Sequence, residues 1–286
     1  MKNAILLVSA VLLVLLTACS GVRIKEHEGW KKYFDAYGVE GCFEIYDNNK
    51  EIARYYNKER TAERFSPAST FKIFNSLVAL ETGEAQDEQL MIPWDGVERE
   101  IPSWNQDLTM KEAFKYSAVP YYQELARRLG RETLQFYLDS VKYGNMNMEG
   151  DITMFWLNDT LKISADEQVG LMKRLYHNQL PFTERTHRIV KGMMLQEATD
   201  DYRLYYKTGL GRNGDGSRLL WVVGFIEQYN PLKNVETGTL EKIPHPYFFA
   251  LNFTAPAGSD KDWLTIRMKL LRDLLKESGL NIRDAG

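Results

Sequence analysis

Ser69-Thr70-Phe71-Lys72-Ile73-Phe74-Asn75-Ser76-Leu77-Val78-Ala79-Leu80 is the stretch on which the reading of this chain turns. From Phe71 onward it is a nearly unbroken apolar run followed by Gly83, which predicts a buried helix with glycine just past its C-terminus. A serine three residues ahead of a lysine places both side chains on one helix face, one turn apart. That spacing sets an amine beside a hydroxyl nucleophile without any histidine. The same spacing also describes an N-cap serine followed by a surface lysine, and about one such match is expected by chance in a chain of this length. The flanks favour the first reading, because Phe71, Ile73 and Phe74 bracket Lys72. An ammonium held among them tends to lose its proton, and the neutral amine is then a base or a reactant toward electrophiles.

Working outward, residues 42–46 and 51–56 are strand-like runs joined by the turn-forming Asp47-Asn48-Asn49-Lys50. Residues 30–37 form a short amphipathic helix stopped by Gly38. Beyond Gly83, residues 84 to about 200 are mainly helical. Pro120 opens a helix that closes at Gly130, and Ser164-Ala165-Asp166-Glu167 is a capping box starting a helix to about His177. Residues 134–141 and 184–197 are further helix candidates. Strand patterns return at 202–208, 219–226 and 247–253, with 227–246 expected as a long polar surface loop. Residues 262–278 form an amphipathic helix with Trp263, Ile266, Leu270, Leu271 and Leu274 on one side. Strands at both ends and helices between them give an α/β (α+β) expectation: a central antiparallel sheet flanked by helices, with a mainly helical inserted subdomain.

The chain has 286 residues, 44% of them hydrophobic, enough for a sizeable core. A net charge of −3 without a basic run argues against nucleic acid as a partner. Lys2 precedes a 13-residue apolar stretch, residues 4–16, too short for a bilayer core of about 30 Å but suited to a signal-peptide core. Leu16-Thr17-Ala18-Cys19 resembles a bacterial lipobox. That resemblance implies removal of residues 1–18, a lipid on Cys19, a tether over 19–29 and a catalytic domain over 30–286. Ser20 after Cys19, in place of aspartate, implies the periplasmic face of the outer membrane. Ordinary secretory cleavage near Ala18 is the alternative. The one other cysteine, Cys42, lies in an apolar stretch and reads as a buried small hydrophobe.

Two motifs are set aside. Gly209-Leu210-Gly211-Arg212-Asn213-Gly214 matches G-x-G-x-x-G, but a strand pattern follows it where a dinucleotide site requires a helix. His27, His177, His187 and His245 lack metal-ligand spacing, so no metal site is expected.

Three short motifs accompany the serine–lysine pair. Ser117-Ala118-Val119 stands before the Pro120 helix, where a hydroxyl can relay a proton or simply cap the helix. Lys207-Thr208-Gly209 ends a strand, presenting a cation, a hydroxyl and a glycine open to close approach. Trp156 lies in Phe155-Trp156-Leu157, shortly before the capping box. With Tyr143-Gly144-Asn145 and Trp221-Val222-Val223-Gly224-Phe225, in this order and spacing, the chain resembles the class D (oxacillinase-type) serine β-lactamases, within the penicillin-recognising enzymes.

The resemblance implies hydrolysis of β-lactam antibiotics through an acyl-enzyme on Ser69. It implies that CO2 or bicarbonate carboxylates Lys72 to N6-carboxylysine, that Trp156 holds this group through its indole N–H, and that Ser117 carries a proton to the lactam nitrogen. Backbone N–H groups of Ser69 and Leu210 would form the oxyanion hole. Lys207, Thr208 and Gly209 would meet the substrate carboxylate together with Arg267, while Val119 and Leu157 would gate water. Asn158 stands where an acidic residue is common, which bears on substrate range. Two alternatives share Ser69, Lys72 and Lys207: a penicillin-binding peptidase, which usually carries Ser-x-Asn where this chain has Ser117-Ala118-Val119, and a β-lactam sensor domain that stays acylated.

Overall fold

The computed structural model describes residues 22–233 and 240–284. Its centre is a seven-stranded sheet in the order β1(Arg23–Glu26)-β3(Ile52–Tyr56)-β2(Glu40–Asp47)-β9(Leu240–Ala255)-β8(Arg218–Lys233)-β7(Tyr202–Arg212)-β6(Leu195–Ala198). All neighbours are antiparallel except β1 and β3. The two-residue strands β4(Met91–Ile92) and β5(Leu108–Thr109) pair separately.

Side chains alternate across the strands, so each face carries its own core. Leu220, Val222 and Ile226 of β8 pack with Trp30 and Phe34 and with α9(Trp263–Glu277). Trp221, Val223 and Phe225 face the helices of the insert. The other helices are α1(Lys31–Asp35), α2(Lys58–Ala62), α3(Lys72–Glu81), α4(Met110–Tyr116), α5(Val119–Leu129), α6(Arg131–Val141), α7(Ala165–Tyr176) and α8(Glu184–Met194). α3 is buried on every side from Lys72 to Leu80, the helix that the apolar run predicts. The capping box of α7 forms as expected: Ser164 Oγ accepts from the Glu167 N–H and Glu167 accepts from the Ser164 N–H.

Three expectations change. Residues 227–246 do not form an open loop. β8 and β9 stay paired from Glu227↔Pro246 to Lys233↔Leu240 and run past β7 as a two-stranded ribbon from Tyr229↔Pro244 onward; residues 234–239 lie outside the described residues. A two-stranded ribbon away from the core needs no apolar face, so its sequence shows no alternation. Residues 23–26 of the expected tether pair in parallel with β3 as a wholly exposed edge strand. The helix expected over 184–197 stops at Met194, and Leu195 turns into β6, pairing with Tyr205. Among the described residues no helix is long and apolar enough to cross a membrane.

Candidate active site

Ser69 lies in a 3-10 turn, Ala68–Phe71, that leads directly into α3. In a 3-10 turn residues i and i+3 eclipse, so Ser69 and Lys72 align more closely than on an α-helix. Lys72 Nζ donates to Ser69 Oγ at 2.8 Å. Lys72 is fully buried, and burial pushes its ammonium from 10.5 down to about 7. The aromatic wall behind it is continuous. Phe71 stacks on Trp156 at 5.5 Å and on Phe74 at 5.1 Å, with the edges of Tyr143 and Phe155 against it. The Tyr122 ring lies 5.3 Å from Lys72 Nζ. Among the described residues the buried Trp156 indole N–H has no acceptor.

The turn itself is held tightly. Ala68 has φ 47°, in the left-handed region that side chains disfavour. Its N–H donates to the Trp156 carbonyl at 3.1 Å, Ser66 Oγ donates to the same carbonyl, and Trp221 Nε1 donates to the Ser66 carbonyl. β7 passes close by: a Cβ at Gly209 would come within 3.1 Å of the Pro67 carbonyl and 3.2 Å of Thr70 Cγ2.

Ser117 caps the C-terminus of α4 with φ 57° and accepts from Lys207 Nζ at 2.8 Å. Lys207 is buried and its ammonium is held well below 10.5, first by desolvation and then by the charges of Lys72 and Arg267. Arg267 is 7% exposed although it lies on the apolar stripe of α9. It donates to the Gly209 carbonyl at 2.9 Å, its Nε has no partner, and burial pushes it down to about 10. Three buried basic groups thus cluster, with the charges of Lys72 and Arg267 both acting on Lys207, an arrangement suited to anions. Arg267 and Thr208 border an open groove of about 890 Å³ that also meets Lys115, Tyr206, Leu264 and Met268. Leu210 is exposed, and Val119 and Leu157 are half-buried.

The remaining motif, Tyr143-Gly144-Asn145, works as a brace. Gly144 has φ 52°, and a Cβ there would lie 1.9 Å from the Lys162 carbonyl oxygen. Asn145 donates to the Thr160 carbonyl and accepts from the Lys162 N–H, tying down the segment after Trp156. Cys42 is fully buried, with its thiol pushed up to about 12 by burial. The G-x-G-x-x-G match ends β7 and turns into β8, with no helix. Cys19 lies outside the described residues. Among the described residues no group of three or more His, Cys, Asp or Glu side chains is placed to hold a metal ion.

A family model described as the penicillin binding protein transpeptidase domain matches residues 42–233. β-Lactamase OXA-48 of Klebsiella pneumoniae is 37% identical over 253 residues, covering 88% of this chain and 89% of that protein. The class D β-lactamase structure from Sebaldella termitidis superposes with a TM-score of 0.82 at 34% identity, over 91% of this chain and 99% of that one. This chain belongs to the class D β-lactamase family. The family includes a further solved structure, from Nostoc, at 36% identity and a TM-score of 0.78, covering 88% of this chain and 99% of that one. In this class D chain the structure brings Ser69, Lys72, Ser117, Lys207, Gly209 and Arg267 into one linked cluster, with Trp156 against its wall. Sequence reasoning missed Gln168, which donates to Thr70 beside the nucleophile, and the ring of Tyr122. Neither lies in a motif, and only the packing of α5 and α7 on α3 reveals them.

Proposed function

We propose that this protein hydrolyses β-lactams through an acyl-enzyme on Ser69, with Lys72 as the source of the general base. The observation that carries the reading is the 2.8 Å contact to Ser69 Oγ from a fully buried Lys72 whose ammonium burial pushes down to about 7. Lys72 removes the Ser69 proton as Oγ bonds to the lactam carbonyl carbon. The carbonyl–nitrogen bond then breaks, and Ser117 delivers a proton to the leaving nitrogen. N–H groups of Ser69 and Leu210 receive the oxyanion; losing one such donor costs about 10²–10³ in rate. Lys207, Thr208 and Arg267 take the substrate carboxylate. Water then cleaves the ester and frees Ser69.

Carboxylation of Lys72 by CO2 fits the residues present. With its ammonium pushed down to about 7, Lys72 offers a substantial neutral fraction near pH 7; among the described residues the Trp156 indole N–H has no acceptor, and the carbamate charge would be balanced by Lys207 and Arg267. When carboxylated, Lys72 supplies a carbamate oxygen as the base for both half-reactions. Trp156 would hold that group, and Val119 and Leu157 would control water entry. The lipobox supports lipidation of Cys19 and a place on the periplasmic face of the outer membrane.

Turnover of a chromogenic cephalosporin in degassed buffer, and again with bicarbonate, tests the reading. Sustained turnover raised by bicarbonate is expected. A single stoichiometric burst in both buffers would instead favour a sensor or peptidase.

A further inference from the structure

The turn carrying Ser69 is strained at Ala68, and such a conformation persists only where its surroundings over-determine it. Two of the bonds that do so are local: Thr70 N–H and Thr70 Oγ1 both donate to the Pro67 carbonyl, at 3.1 and 2.8 Å. The helical insert adds the Trp156 carbonyl, which accepts from Ala68 N–H and Ser66 Oγ, and one side-chain donor. Gln168 Nε2, on α7, donates to Thr70 Oγ1 at 2.9 Å. Gln168 is 1% exposed and borders a tight hollow shared with Ile73, Phe74, Tyr143 and Met172. A methionine of similar volume would bury there without the cost of desolvating an amide. What the amide adds is a directional bond onto the turn. Its donor is well placed, because the Ser164–Glu167 capping box and the Arg64–Glu167 ion pair fix the start of α7.

We propose that Gln168 is a positioning residue for hydrolysis: acting through the Thr70 hydroxyl, it holds the 67–71 turn so that Ser69 Oγ stays within reach of Lys72. The chain Gln168→Thr70→Pro67 is a cooperative pair of bonds, since a hydroxyl that accepts one bond donates the next more strongly. Loosening it displaces the nucleophile, and a misplacement of about 1 Å costs up to about 10²-fold in rate. The proposal rests on Ser69 being the nucleophile.

The test is a double-mutant cycle with Gln168→Met and Thr70→Val, read as kcat and KM with a chromogenic cephalosporin at saturating bicarbonate. Gln168→Met is expected to lower kcat about tenfold with KM within about twofold, and to cost nothing further in the Thr70→Val background. Unchanged kcat, or losses that multiply, would overturn the proposal. Should Gln168→Met not fold, Gln168→Glu keeps the reach but cannot donate when ionised. Burial raises such a carboxyl, so the variant's kcat is expected to match wild type at low pH and to fall as pH rises through the raised value; a kcat already low at low pH would overturn the proposal. Ser69→Ala in the same assay separates the two ideas. If it retains turnover, both fall; if it is inactive while Gln168→Met is unimpaired, only the role of Gln168 falls.

Discussion

Replacing Lys72 with methionine removes a fully buried amine while keeping its length. Burial lowers the ammonium from 10.5 to about 7, and a shift of that size corresponds to about 5 kcal/mol of differential interaction. The folded state binds this proton more weakly than the unfolded chain does. Between about pH 7 and 10.5 the unfolded chain therefore holds more protons, and stability rises with pH across that window. Near pH 7 the site costs about 4–5 kcal/mol, and by pH 10.5 nearly all of the cost is gone. The bond to Ser69 Oγ offsets about 1 kcal/mol of it, and relaxation around the amine offsets more. Lys72→Met is expected to be inactive yet more stable by about 2–3 kcal/mol at pH 7, or about 5–10 °C in Tm. The gain should shrink as pH approaches 10. Thermal unfolding followed by circular dichroism, in CO2-free buffers from pH 7 to 10, reads this directly. A variant no more stable than wild type at pH 7, or a difference independent of pH, would refute the reasoning.

Other expectations follow from single contacts. Trp156→Phe keeps the stack on Phe71 and removes the indole N–H; the acyl-enzyme should still form while deacylation slows about 10–100-fold, and unchanged burst and steady-state phases in stopped-flow would contradict that. Glu44 of β2 is buried, and desolvation, then its bond to Asp166 and that carboxyl's charge, hold it well above 4.5. A carboxyl raised in this way contributes stability that is full below 4.5 and is lost as pH rises through the raised value. Glu44→Gln should therefore flatten the decline in Tm toward alkaline pH, and an unchanged slope would exclude the pair as its cause. Gly144→Ala drives a Cβ to 1.9 Å from the Lys162 carbonyl; a Tm loss of about 10 °C or more, or no folded protein, is expected, and a wild-type melting curve would count against the brace.

Much of this architecture is visible as local pattern. The apolar run after Ser69, the capping box at Ser164 and the stripe of α9 all record burial over a few turns, and each became the expected helix. The ribbon formed by 229–233 and 240–244 left no such record, because past β7 its two strands pair with each other and not with the sheet. Edge strand β1 is exposed throughout and finds its partner in β3. The same division holds at the site. Ser69 and Lys72 meet across one turn, so spacing alone pairs them. Lys207 reaches Ser117 across 90 residues, and Gln168 reaches Thr70 across 98; packing makes both contacts. The Lys207 contact was foreseeable only because both residues lie in motifs. Gln168 lies in the capping-box helix with nothing to mark it. Arg267 was legible only through the family resemblance: its own helix gives no reason for a charge within an apolar stripe, and the Gly209 carbonyl that receives it lies on β7, 58 residues away.

The most direct measurement is mass spectrometry of the protein quenched in acid at intervals after mixing with a penicillin in bicarbonate buffer. A gain equal to one intact penicillin is expected on the peptide carrying Ser69. It should appear early, vanish as the drug is consumed, and be absent from Ser69→Ala. No adduct, an adduct on another residue, or one on Ser69 that never decays would contradict hydrolysis through a Ser69 acyl-enzyme.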